Sequence, residues 1–113
     1  MPSPLNEIHF FQFDNLIRNR IPFAILNLGV DVQGFYKLPM FQNHLESLMI
    51  PAKLENAVSL LKEKQISTDF AILVLCPNGE ISPKVVDDLE KAGFTNVFFP
   101  HGGFNSLKTD ASH

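Results

Sequence analysis

The chain has 113 residues, 45% of them hydrophobic, with nine Lys and Arg against twelve Asp and Glu, a net charge of −3. That length and apolar share suit a single domain over residues 1–113, and the lack of a basic excess argues against a nucleic-acid partner. No apolar run nears the roughly 20 residues that span a membrane, the start MPSPLNEIHFF lacks the basic stretch of a signal peptide, and the single cysteine suits a reducing compartment, so a cytoplasmic protein is expected.

In chain order, IHFFQF (Ile8 to Phe13) reads as a short strand. FDNLIRNR then reads as a helix, with Asp14 early and Arg18 and Arg20 late, the order that a helix dipole favours. The continuous apolar run FAILNL (Phe23 to Leu28) has the pattern of a buried parallel strand. From Gly29 to Asn43 there is no clean period, and a loop with one helical turn near Phe35 and Tyr36 is expected. LMI before Pro51 reads as a short strand. LENAVSLLKEKQ follows as a helix, with Leu54, Ala57, Val58 and Leu61 on one apolar face.

FAILVL (Phe70 to Leu75) is the second uninterrupted apolar strand. Ser82 suits a helix N-cap and Pro83 the first helical position, where a missing N–H has no partner to lose. Val85, Val86, Leu89 and Ala92 form the buried face of that helix, and Gly93 suits its end. TNVFF is a further strand and PHGGF a turn. Strands alternating with helices define an α/β domain with a mainly parallel sheet. Its ordered core is expected over about residues 6–107, with a frayed tail at 108–113. Eleven Phe and no Trp imply a core packed by phenyl rings.

Cys76 falls where the second apolar strand ends, about six residues before a helix start. In parallel sheets, ligands bind beyond the carboxyl ends of the strands. The intervening loop, Pro77, Asn78, Gly79, Glu80, Ile81 and Ser82, has the length to curl its N–H groups around one atom. Those donors and the helix dipole would favour a negative charge, which describes either a nucleophilic thiolate or an anion cradle. A merely buried strand-end cysteine is the alternative. The histidines within the body of the chain (His9, His44 and His101) have no second ligand at metal spacing, so no metal is expected. His44 reads as a surface or capping residue. His101 and Gly102, with Phe35 and Tyr36 as apolar wall, are candidates for the pocket rim. Glu46, Asp87 and Asp88 read as solvated charges.

AILVLCPNGEISPKVVDDLEKAGFTNVFFPHGGFNSL resembles the C-terminal half of a rhodanese-like domain. In that family a strand ends at a sulfur-carrying cysteine, a six-residue loop follows, the next helix ends in a motif like AGFTNV, and an xGG turn leads into the last helix. The first half is similar more loosely. Asn27 and Gly29 stand where the family has the Asp and Arg of Asp-Val-Arg. HLESLMIP (His44 to Pro51) stands near a His-Ile-Pro-Gly-Ala segment, of which it keeps the His and the Ile-Pro. The specific motifs run from about residue 70 to 107.

The resemblance implies a rhodanese-like α/β fold, a central mainly parallel five-stranded sheet flanked by helices on both faces. It implies a sulfurtransferase in which Cys76 carries sulfur as a persulfide, taken from a small donor such as thiosulfate or a persulfide and passed to a protein or thiol acceptor, with no cofactor. The loop departs from active members: its only charge is Glu80, where a basic residue often helps to attract an anionic donor, and Pro77 removes one amide donor. A non-catalytic rhodanese-homology module for protein interaction or regulation is therefore the alternative. A phosphatase-like reading fails because Ile81 and Ser82 occupy the positions where an Arg would close on phosphate.

Overall fold

The structure, a computed structural model, describes residues 6–111. Ten elements alternate along the chain: β1 (Glu7–Ile8), α1 (Phe10–Arg18), β2 (Ala24–Asn27), α2 (Pro39–Ser47), β3 (Met49–Pro51), α3 (Ala57–Glu63), β4 (Ile72–Leu75), α4 (Ser82–Lys91), β5 (Val97–Pro100) and α5 (Gly103–Ala111). The strands join one sheet in the order β1-β5-β4-β2-β3, every pair parallel. Parallel strands need crossovers, and the helices supply them on both faces.

Central strands with two covered faces have no polar side, which is why β4 and β2 up to Leu26 read as unbroken apolar runs. Successive residues point to opposite faces. Ile72 and Val74 pack with Leu26 against Ala57, Leu61, Val85, Val86 and Leu89 of α3 and α4. Leu73 and Leu75 pack with Ile25 against Phe13, Ile17, Leu45, Phe104 and Leu107 of α1, α2 and α5. Cys76 follows the parity of Ile72 and Val74 and belongs to the α3/α4 side. The phenyl-ring core is present in Phe13, Phe23, Phe94, Phe99 and Phe104, all buried.

Several boundaries differ from expectation. The strand read over Ile8 to Phe13 is limited to Glu7–Ile8, and helix α1 takes Phe10 onward. Helical spacing brings Phe13 and Ile17 together in the core and leaves Phe11 80% exposed, whereas a strand would have put Phe11 and Phe13 on one face. The helix start is fixed by the His9 N–H donating to Gln12 Oε1 at 2.8 Å, one half of a capping box. Asp14 does pair with Arg18, one turn on. Arg20 lies beyond the helix at φ 51°.

The loop expected up to Asn43 ends at Pro39, where α2 begins with that proline in its first turn. Only Leu45 of α2 is fully buried, so its helical period is faint in the sequence. Leu54 precedes α3 and is 42% exposed, not part of its buried face. The tail read as frayed from residue 108 is helical to Ala111, with Leu107 buried and Thr109 Oγ1 donating to the Asn105 carbonyl at 3.0 Å. Ser112 and His113 lie outside the described residues.

After β2 the chain turns on Asn27. Its Oδ1 accepts from the Val30 N–H at 2.6 Å and its Nδ2 donates to the Val30 carbonyl at 2.8 Å. A carboxamide offers both an acceptor and a donor where a carboxylate offers acceptors alone, so the residue that stands in place of an Asp is fitted to its own loop. Asn27→Asp should cost about 1–3 kcal/mol, because the Val30 carbonyl then faces a carboxylate instead of a donor. Urea unfolding would measure it, and a loss under about 0.5 kcal/mol would contradict this account.

Candidate functional site

Cys76 immediately follows β4 and is wholly buried. Its sulfur accepts a hydrogen bond from the Gly79 N–H at 3.2 Å. The Ser82 hydroxyl lies 2.9 Å from the same sulfur and 3.3 Å from the Val74 carbonyl, and it donates its one hydrogen to either. Ser82 is also completely buried. The expected N-cap role of Ser82 is therefore not taken. The capping position is Ile81, whose carbonyl accepts from Lys84 and Val85, with Ser82 first in the helix and Pro83 second. The hydroxyl turns inward to the sulfur instead.

The expected ring of amides from Asn78 to Ser82 is thinner than its sequence suggests. Pro77 has no N–H, and the Glu80 N–H donates to Asn78 Oδ1 at 3.1 Å. One amide and one hydroxyl remain on the sulfur. Glu80 and Ile81 are exposed, with Ile81 at 39%.

The loop is fastened from the other side by the Gly102-Gly103 turn at the start of α5. The Phe104 N–H donates to the Cys76 carbonyl at 2.8 Å, and the Asn105 N–H to the Pro77 carbonyl at 2.9 Å. The first turn of α5 thus spends these donors on the cysteine loop, which caps it. Contact is close enough to demand glycine: a Cβ on Gly103 would lie 2.4 Å from Gly79 N and 2.7 Å from the Cys76 carbonyl oxygen, at φ +72°.

Of the rim candidates, Gly102 lies against this loop, its backbone 3.2 Å from where a Gly79 Cβ would stand. His101 turns to β1: its Nδ1 is 2.5 Å from Glu7 Oε2 and its ring 5.5 Å from that of His9. Phe35 and Tyr36 pack in the core on the α1/α2/α5 side, opposite to Cys76. Phe35 touches Phe13, Tyr36 and Phe104, with ring centroids 5.8, 5.0 and 5.5 Å away. His44 sits in the last turn of α2, 3.4 Å from Arg20, and burial followed by the Arg20 charge pushes its imidazole below the usual value. Asp87 and Asp88 are paired on the surface with Lys91 and Lys84, and Glu46 accepts from Gln42. Among the described residues no group of three or more His, Cys, Asp or Glu side chains is placed to hold a metal ion, and no helix is long and apolar enough to cross a membrane.

Sequence reasoning missed the direct contact of Ser82 with the sulfur and the role of Gly103 as a close-approach glycine. The first had a signal in the six-residue spacing, the second in the Gly-Gly pair.

No protein-family model and no curated protein matches the sequence. Solved structures do match in shape. A crystal structure of a protein from Anabaena sp. superposes with a TM-score of 0.68 at 16% identity, covering 91% of this chain and 86% of that one. The solution structure of a rhodanese-like domain from Anabaena sp. gives 0.69 at 16% identity, over 93% and 74% of the two chains. A rhodanese-related protein from Thermoplasma volcanium gives 0.54 at 21% identity, over 93% and 92%. The fold is that of rhodanese-like domains. The all-parallel five-stranded sheet, with helices on both faces, is the architecture that the sequence resemblance implied.

Proposed function

We propose that the protein is a small sulfurtransferase in which Cys76 carries sulfur as a persulfide. The observation that carries this reading is the pair of donors, the Gly79 amide and the Ser82 hydroxyl, converging on one sulfur at the end of a central parallel strand. Donors aimed at a sulfur stabilise charge there without reorganising. In the cycle, the Cys76 thiolate attacks the outer sulfur of a donor such as thiosulfate. A bond forms between the two sulfurs, the donor's own S–S bond breaks, and sulfite leaves with the electron pair. An acceptor thiolate or cyanide then attacks the outer sulfur and returns Cys76 to the thiolate. No other group is required for either step.

Because Cys76 is 0% exposed, the loop from Pro77 to Ile81 has to shift before a donor arrives. That burial also favours the second reading, a non-catalytic module for protein interaction. Charge separates the two. Thiosulfate is a dianion, and Glu80 is the one charge in the loop. Glu80→Arg reverses that charge and adds a fork that binds oxyanions. In a sulfurtransferase, kcat/KM for thiosulfate should rise about tenfold, or about 1.4 kcal/mol, and the gain should shrink as salt rises. Cys76→Ser should abolish turnover. Turnover at background in both the parent and Glu80→Arg, with the fold intact, would leave the interaction module as the function.

A further inference from the structure

On the sheet face opposite to Cys76, a cavity of about 220 Å³ opens between α1, the segment leading into α2 and the end of α5 at Ala111. Its walls are the rings of Phe10, Phe35, Tyr36 and Phe41, and Arg18 and Lys37 also line it. That volume lies between the ~150 Å³ of a cavity that takes up benzene and the ~300 Å³ at which drug-sized pockets begin, so it suits a single ring with a short substituent.

The cation at this cavity is held in a set orientation. Arg18 donates through Nε to both oxygens of Asp14, at 3.0 and 2.8 Å. Asp14 is fixed in turn by the Tyr36 hydroxyl, which donates to it at 2.7 Å. Burial, and then this bond to Asp14, keep the Tyr36 phenol protonated far above its ordinary range. The guanidinium lies 4.8 Å over the Phe41 ring and 5.7 Å over that of Tyr36. Its two terminal amino groups make no hydrogen bond among the described residues. A guanidinium whose Nε edge is anchored and whose terminal edge is open is a ready fork for a carboxylate. Asp14 offsets the charge of Arg18, and Lys37 restores a net positive charge to the wall.

We infer that this cavity is a binding site for a small aromatic carboxylate, its ring among the phenyl groups and its carboxylate on Arg18 with Lys37 beside it. The site is separate from Cys76 and does not depend on sulfur chemistry. Tyr36 is the only tyrosine and the chain has no tryptophan, so tyrosine emission reports on this cavity alone.

Benzoate is the probe, with benzamide and acetate as the neutral and ring-free controls. Tyrosine emission and backbone amide NMR shifts follow each titration. Benzoate should saturate, with its shifts centred on Arg18 and Phe35 to Phe41, and benzamide and acetate should each bind at least tenfold more weakly. Arg18→Gln should weaken benzoate at least tenfold. Lys37→Gln, at an exposed side chain with no hydrogen bond or ion pair among the described residues, should weaken it about threefold while the amide spectrum stays native. A response that does not saturate, equal binding of benzoate and benzamide, or an unchanged benzoate affinity in Lys37→Gln would overturn the assignment.

Discussion

Gly103→Ala should be the most damaging of the Gly→Ala changes, lowering stability by about 2–5 kcal/mol. Two costs combine. A left-handed φ of +72° is paid for by any residue with a Cβ, at about 1–2 kcal/mol. The methyl would also stand 2.4 Å from Gly79 N and 2.8 Å from the Asn78 carbonyl carbon, both backbone atoms that cannot swing aside as a side chain would. Overpacking of that kind adds about 1–3 kcal/mol. For a domain of this size, thermal unfolding should fall by roughly 10–20 °C. Gly29→Ala is the control: its φ is +84° but nothing lies within 4 Å of its would-be Cβ, so only the backbone cost applies. Equal losses in the two variants would mean that the turn and the cysteine loop are not in close contact.

The same contact links stability to the site. The atom that a Gly103 methyl would strike is Gly79 N, the donor to the Cys76 sulfur. Gly103→Ala should therefore also raise the rate at which iodoacetamide reaches Cys76, which is wholly buried in the native protein.

The second large effect is on chemistry. Ser82→Ala removes the hydroxyl 2.9 Å from the sulfur and should slow persulfide formation by about ten- to a hundredfold, since a hydrogen bond to a charged group is worth about 1.5–3 kcal/mol. The alanine fits the same space, and Val74 loses only a long 3.3 Å contact, so stability should change little. Ser82→Thr keeps the hydroxyl and should recover part of the rate. If Ser82→Ala loads sulfur as fast as the parent, the hydroxyl serves the Val74 carbonyl and not the sulfur.

Strands buried on both faces were the most legible part of the sequence. FAILVL is apolar in every residue and FAILNL in all but Asn27, and both form central strands. The Val85, Val86, Leu89 face of α4 was equally plain, because the helix packs one full stripe. What escaped was local and marginal. α2 buries one side chain fully, and the Phe10–Phe13 run fits a strand or a helix until the pairing of His9 with Gln12 chooses between them.

At the site, the position of Cys76 at a strand end was readable from the sequence, but the direction of its neighbours was not. Ser82 has two good uses for one hydroxyl, capping a helix or bonding a sulfur, and the sequence does not say which atom is closer. His101, Phe35 and Tyr36 follow strand ends, as rim residues do, yet Glu7, Phe13, Phe104 and Asp14 draw them elsewhere. Such competition among partners far apart in the chain is settled only by the tertiary contacts themselves.

The most direct test of the sulfur-carrier reading is the mass of the intact protein after incubation with thiosulfate or an inorganic polysulfide. The account predicts a gain of one sulfur atom, absent in Cys76→Ser, lost on adding cyanide, and slowed in Ser82→Ala. No added sulfur under conditions in which the fold persists, or sulfur retained in the presence of cyanide, would contradict it.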